Sequence, residues 1–186
     1  MAKPTASSDG GSAPAAPESD PALPAEELQR RAALAKRLAG AFGEIVSVMM
    51  RSEPHRLTYL AELEWLVVPA IVSGQFSIAD AQSKSHGAVT PVAAVLWASV
   101  SPEIDARLSA HPGRPIRLKP AEWKSGDIVW IVEAIGDPRA LNPMLKSLRQ
   151  REWKDRTIKT RTLDAQGRPV VKELQGGDQP EAAGTS

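Results

Sequence analysis

The sequence contains no cysteine. That absence excludes disulfides, thiolate zinc sites, iron–sulfur clusters and a cysteine nucleophile, and it fits a reducing compartment. An excess of charge of one sign is also missing. Lys and Arg number 23 against 22 Asp and Glu, a formal net charge of +1, so the overall field does not call for a polyanionic partner. No apolar run approaches the roughly 18 residues of a membrane-spanning helix. The N-terminal residues lack the apolar stretch of a secretory signal. Phosphate-binding loops, dinucleotide glycine fingerprints and the Gly-x-Ser-x-Gly nucleophile elbow are absent as well.

What is there separates into a core and two flanks. Residues 1–23 are dominated by Ala, Pro, Ser and Gly, too little apolar bulk to offset the entropy of ordering. They read as a disordered tail, and residues 175–186 read the same way. One domain is expected over 24–174. Its first helix should open at Pro24, with Glu26 and Glu27 in the first turn. Leu34, Leu38, Phe42, Ile45 and Met49 form one apolar stripe. A second helix is predicted over 57–72, with Leu60, Leu63, Val67 and Ile71 buried, a kink at Pro69 and Gly74 as its cap.

Phe76 and Ile78 alternate with polar or small neighbours, which predicts a strand. Residues 80–90 read as a loop. Residues 91–98 form a continuous apolar run, suited to a strand buried on both faces. Ser101-Pro102-Glu103 is a helix start; a basic, proline-punctuated loop follows over 112–119. Residues 127–135 make a second buried strand, with Ile128, Trp130 and Val132 on one face and Val129, Ile131, Glu133 and Ile135 on the other. A helix should begin at Pro138, or at Pro143 behind Asn142. Residues 156–163 and 169–174, joined by Gln166-Gly167, fit a terminal hairpin. Interspersed helices and strands indicate an α/β (α+β) domain with a mixed central sheet flanked by helices.

With cysteine absent, chemistry falls to histidine and carboxylates. His86 lies in a polar loop and His111 just past a helix end. His55 sits in Ser52-Glu53-Pro54-His55-Arg56, the break between two apolar helices. It reads either as a surface or capping histidine or as a general base, since an imidazole titrates near neutral pH. Glu133 interrupts an apolar strand. It is either an exposed strand end or a carboxylate at the C-terminal end of a buried strand, where pockets often form. Five tryptophans are mostly core candidates. Residues 139–161 carry eight basic side chains, among them Arg149 and Arg151, against Glu152 and Asp155. They form a solvated surface or a docking face for an acidic partner. Nucleic-acid binding is the weaker option, because no recognisable binding motif accompanies the charge.

Three blocks, in order, carry a resemblance. They are Ser52-Glu53-Pro54-His55-Arg56 with Val68-Pro69-Ala70-Ile71 and Gly74-Gln75-Phe76, then Pro91-Val92-Ala93 with Trp97-Ala98, then Glu122-Trp123-Lys124-Ser125-Gly126-Asp127 with Trp130. Together they resemble the RTX toxin-activating lysine acyltransferases over residues 51–148. The resemblance implies a fold similar to the Gcn5-related acetyltransferases. It implies transfer of a fatty acyl group from acyl carrier protein to internal lysines of a protoxin in the cytoplasm. It implies no bound cofactor or metal, and a possible homodimer. His55 takes the position of the catalytic histidine and Ser52 that of an activity-linked serine. Glu133 stands where the family has a catalytic aspartate. Trp97 and Trp130 become candidates for lining the acyl chain's groove, and Arg149 and Arg151 for holding the carrier protein. The tail, the first helix and residues 80–90 look like additions, and Gly136-Asp137-Pro138 replaces the usual Ala-Pro-Phe-Gly. The extra methylene of Glu133 displaces a carboxylate by up to ~1.5 Å, enough to cost about a hundredfold in rate if uncompensated. The alternative is therefore a weak or inactive homologue that binds or chaperones a secreted repeat protein.

Overall fold

The computed structural model describes residues 24–83, 85 and 87–177. The expected tail 1–23 lies outside them, as do residues 178–186 and His86. Helix α1 (Ala25–Arg51) is followed by α2 (Leu60–Leu66) and α3 (Val68–Ser73), then strands β1 (Phe76–Gln82) and β2 (Val89–Val100). Helix α4 (Pro102–Ser109), strand β3 (Ile128–Gly136), helix α5 (Pro138–Gln150) and strands β4 (Thr157–Leu163) and β5 (Pro169–Gln175) complete the order. The five strands lie side by side in sequence order. Every pair is antiparallel except β3 and β4. This is the mixed sheet flanked by helices that the residue pattern predicts, and it agrees with an acetyltransferase-like fold. Among the described residues no helix is long and apolar enough to cross a membrane.

Two apolar layers sandwich the sheet. On one face Ala94, Leu96, Ala98 and Val100 of β2 and Trp130 of β3 pack against Ile45, Val48 and Met49 of α1 and Leu63, Val67 and Ile71 of α2–α3. On the other, Val95, Trp97, Val129 and Ile131 pack against Leu148 of α5, Trp153 and Ile158. Alternate β2 residues thus serve opposite layers, as a doubly covered strand must. Helix α1 meets the core only from Leu38 onward; Leu34 stays exposed because the helix projects beyond the sheet.

Local chemistry explains the departures from expectation. Pro69 lacks the N–H that a continuous helix needs, so 57–72 divides into α2 and α3, with Pro69 in the first turn of α3. Leu60 opens α2 beyond the reach of the sheet and is exposed, whereas Leu63, Val67 and Ile71 are buried. Gly74, at φ +71°, caps α3 as expected. The expected loop 80–90 is mostly hairpin, since β1 runs to Gln82 and pairs with Val89. Helix α5 begins at Pro138 behind the Asp137 cap, with Pro143 inside it. Gln175 belongs to β5, and Gly176 and Gly177 donate to the carbonyls of Arg156 and Arg149, so the ordered chain continues past 174.

The Trp123-Lys124-Ser125-Gly126 segment is framework. Its backbone caps the end of β2: Ser99 N–H donates to Trp123 O, and Ser125 and Gly126 donate to Ser99 O. A Cβ on Gly126 would meet the Val100 carbonyl oxygen at 2.5 Å, so only glycine allows this approach. Buried Gln75 donates to the Trp123 carbonyl at 2.5 Å, tying α3 to the same point.

The β2–β3 pairing contains one irregularity. Leu96 faces Glu133, but the next residue, Trp97, faces Ile131. Val132 therefore has no partner: a β-bulge. Before it, Trp130 points to the α1–α3 layer and Ile131 to the α5 layer. After it the alternation is reset. Ile135, opposite Ala94, joins the α1–α3 layer, and Glu133, opposite Leu96, shares that face. The expectation that Glu133 lies on the face of Val129 and Ile131 is corrected by this one extra residue.

Gly136 has φ +110°, and a Cβ there would overlap the Val92 carbonyl oxygen. Gly136→Ala should cost about 2–3 kcal/mol and lower Tm by roughly 5–10 °C. Gly40→Ala, with open space around it, should be neutral or stabilising by about 0.5–1 kcal/mol. In addition, Arg107 makes a two-pronged pair with Glu122 at 2.9 and 2.8 Å. That pair holds the Glu122 carboxyl below its usual range. A depressed folded-state pKa stabilises above the unfolded value and loses its effect as pH falls through the folded one. The melting difference between wild type and Arg107→Ala should therefore be present at pH 7 and shrink below about pH 4.

Candidate active site

Helix α1 ends at Ser52, which adopts an extended backbone (φ −91°, ψ 118°). Pro54 disfavours helical geometry at the residue before it, and the chain winds through turns instead. His55 and Arg56 N–H groups both donate to Ser52 O, and Thr58 N–H donates to His55 O. The turn folds the two side chains toward each other, with Ser52 Oγ 2.8 Å from His55 Nδ1. Arg51 donates to the Pro91 carbonyl, fastening the start of the turn to β2. From β3, the bulge delivers Glu133, whose Oε2 lies 3.1 Å from His55 Nε2.

Serine, histidine and glutamate form one hydrogen-bonded line, from residues 78 positions apart at its longest link. The His55 side chain is 16% exposed and that of Glu133 34%, so the line opens to solvent at the carboxylate. As a carboxylate, Glu133 can only accept. Nε2 then carries the hydrogen and Nδ1 keeps its lone pair, which accepts from the Ser52 hydroxyl. The direction of donation, hydroxyl to imidazole to carboxylate, is that of a catalytic triad. Such a line can take up a proton at Nδ1 while the carboxylate stabilises the imidazolium.

A cleft flanks each end. One, of about 490 Å³, is lined by Val48, Ser52, Glu53, Pro54, Val92 and Asp137, with Arg51 at its wall. The other, of about 460 Å³, is lined by Arg114, Ile131, Val132, Glu133 and Arg161. It exists because β3 and β4 pair only at Val129–Ile158 and Trp130–Lys159 and then part. Arg161 donates to the carbonyls of Leu108 and Arg114 and lies over the Trp130 ring. Burial lowers its pKa from the usual arginine value. Sequence reasoning missed Glu53, Arg114, Asp137 and Arg161 as cleft residues; nothing in their local pattern distinguishes them from ordinary surface charges.

The other candidates are placed elsewhere. Trp97 is buried on the α5 face, edge-on to Trp153 with centroids 5.4 Å apart, and cannot wall a groove near His55. Trp130 is fully buried, its Nε1 donating to Asp105 at 2.8 Å. Of the basic residues in 139–161, several serve the fold. Lys159 bridges Asp105 at 2.8 Å and Glu173 at 3.6 Å, Arg156 donates to Asp127 O, and half-buried Arg149 donates to Gln175 O. Arg151, Lys146 and Lys154 remain exposed. Among the described residues no group of three or more His, Asp or Glu could hold a metal.

The family model of the RTX toxin acyltransferase family matches residues 35–174. The match takes in Ser52, His55 and Glu133, the latter half of α1, and strands β4 and β5. The first helix is therefore not wholly an addition. No curated protein matches the chain.

The hydrogen-bond line makes a direct prediction. In ¹⁵N NMR of the imidazole, neutral His55 should be the Nε2–H tautomer, and Ser52→Ala should leave it so. A dominant Nδ1–H tautomer in wild type would contradict the assigned direction of donation.

Proposed function

The chain belongs to the RTX toxin acyltransferase family, and from that premise we propose that it transfers a fatty acyl group from acyl carrier protein to lysine side chains of a protoxin. Acyltransfer in toxin activation is the family's activity. The observation that carries it is the Ser52–His55–Glu133 line, with links of 2.8 and 3.1 Å. A glutamate in place of the family's aspartate still reaches the imidazole, which favours an active enzyme over a binding module.

A lysine ammonium has no lone pair and cannot attack a thioester. His55 Nδ1 would take a proton from it through the Ser52 hydroxyl: the ammonium proton passes to Oγ as the hydroxyl's own proton passes to Nδ1. Glu133, accepting from Nε2–H, would stabilise the imidazolium. The free amine attacks the thioester carbonyl carbon, a C–N bond forms and the C–S bond breaks. The imidazolium returns its proton to the departing thiolate, and the second amine proton goes to solvent. Products are the N-acyl-lysine, the carrier thiol and one proton. The exposed cations Lys146, Arg151 and Lys154 suit an acidic carrier protein, although α5 covers the sheet face opposite His55.

The test is mass spectrometry of a protoxin substrate incubated with acyl-loaded carrier protein. An acyl mass increment on lysine is expected with wild type. His55→Ala should lower the rate by roughly 10²–10⁴-fold, and Glu133→Gln by about a hundredfold or more. Absence of transfer by wild type to an authentic substrate would favour the binding-module alternative.

A further inference from the structure

The two clefts meet opposite ends of the hydrogen-bond line, and their chemistry differs. At the Glu133 end the cleft carries Arg114 and Arg161. The Arg161 side chain makes no ion pair with an acid among the described residues; its partners are carbonyls and a tryptophan ring. At the Ser52 end the wall carries Glu53 and Asp137, with Val48, Pro54 and Val92 between them. Arg51 is also there and donates to the Pro91 carbonyl, so this lining holds two acids and one base, against two bases and Glu133 in the other cleft. Glu53 pairs with Arg56 at 3.2 Å, its side chain 84% exposed. Asp137 pairs with Arg139 at 2.9 Å, with Asp137 37% exposed. Pairs this exposed contribute little to stability, and Asp137 also accepts from the Arg139 N–H as the cap of α5.

We propose that the cleft beside Ser52 is the entry site for the acceptor lysine, which rests on the lysine-acylation reading above. Two independent considerations converge on it. Glu133 occupies Nε2, so the nitrogen that can receive a proton is Nδ1, and Nδ1 is reached through the Ser52 hydroxyl. The ammonium must therefore arrive from the Ser52 side. The opposite cleft would set the ammonium against two arginines, its one acid, Glu133, being held by the imidazole, and like charges at short range repel. In the Ser52 cleft the lysine's four methylenes lie along Pro54 and Val92, above buried Val48, and Glu53 and Asp137 attract its charge. Snorkelling side chains bind in this manner, stem on apolar surface and head among acids.

Nα-acetyl-lysine methylamide, titrated into the full-length protein to tens of millimolar, tests the assignment without catalysis. Methyl NMR should show Val48 and Val92 shifting, with weaker shifts for the norleucine analogue, which lacks the ammonium. Shifts confined to Ile131 and Val132, or no shifts at all, would overturn the proposal. Kinetics give a second reading. Glu53→Lys, at an exposed position, should raise KM for the protein acceptor about five- to twentyfold at low salt, less at high salt, and leave KM for the acyl donor unchanged. An increase in donor KM, or no change in either, would also overturn it. If wild type acylates no lysine yet the analogue still binds beside Ser52, the enzymatic reading fails, and with it the acceptor role, while the cleft stands as a lysine-binding site.

Discussion

Everything at the site depends on a single unpaired residue in the central strand pair. Val132 opposes nothing on β2, and by standing out of the ladder it turns Glu133 onto the face where the α1–α2 turn lies. Without the bulge, the two-residue alternation would send the carboxylate into the α5 layer among Val129, Trp97 and Trp153. A charge there would have no partner and a large desolvation cost. With it, the same residue sits opposite Leu96, at the edge of the other layer, and meets an imidazole. The pairing is regular on both sides of the bulge, from Ala93 to Leu96 and from Trp97 to Val100, so the irregularity is held in place.

The longer side chain at 133 acquires a physical sense in this setting. Glutamate places its carboxylate one methylene further from the backbone than aspartate, and the hydrogen bond to Nε2 is 3.1 Å. The turn itself is fixed from three directions: Pro54 ends the helix, Ser52 O collects two N–H groups, and Arg51 grips β2. Such preorganisation is what a proton-transferring group requires.

The most distinctive sequence block does structural work instead of chemistry. Trp123, Ser125 and Gly126 wrap the end of β2, and Gly126 is there because a side chain would strike the Val100 carbonyl. Four of the eight basic residues in 139–161 are only half-exposed, with Lys159 joined to Asp105 and Glu173 and Arg161 half-buried over Trp130. Charge counted along a chain overstates the charge available at its surface, because β4 turns alternate residues inward.

Composition and periodicity by themselves determined the α/β class, the buried strands 91–98 and 127–135, the caps at Ser101 and Gly74, and the terminal hairpin. These follow from apolar spacing and from the backbone limits of proline and glycine, which are local. His55 and Glu133 stood out because each breaks an apolar context. The face of Glu133, the inward placement of Trp97 and Trp130, and the division of the site into two unlike clefts were decided only by tertiary structure. A bulge inserts one residue without any mark in composition, and clefts arise where strands part and distant loops meet. Those are relations between segments far apart in the chain, set by the sum of packing over both faces of the sheet.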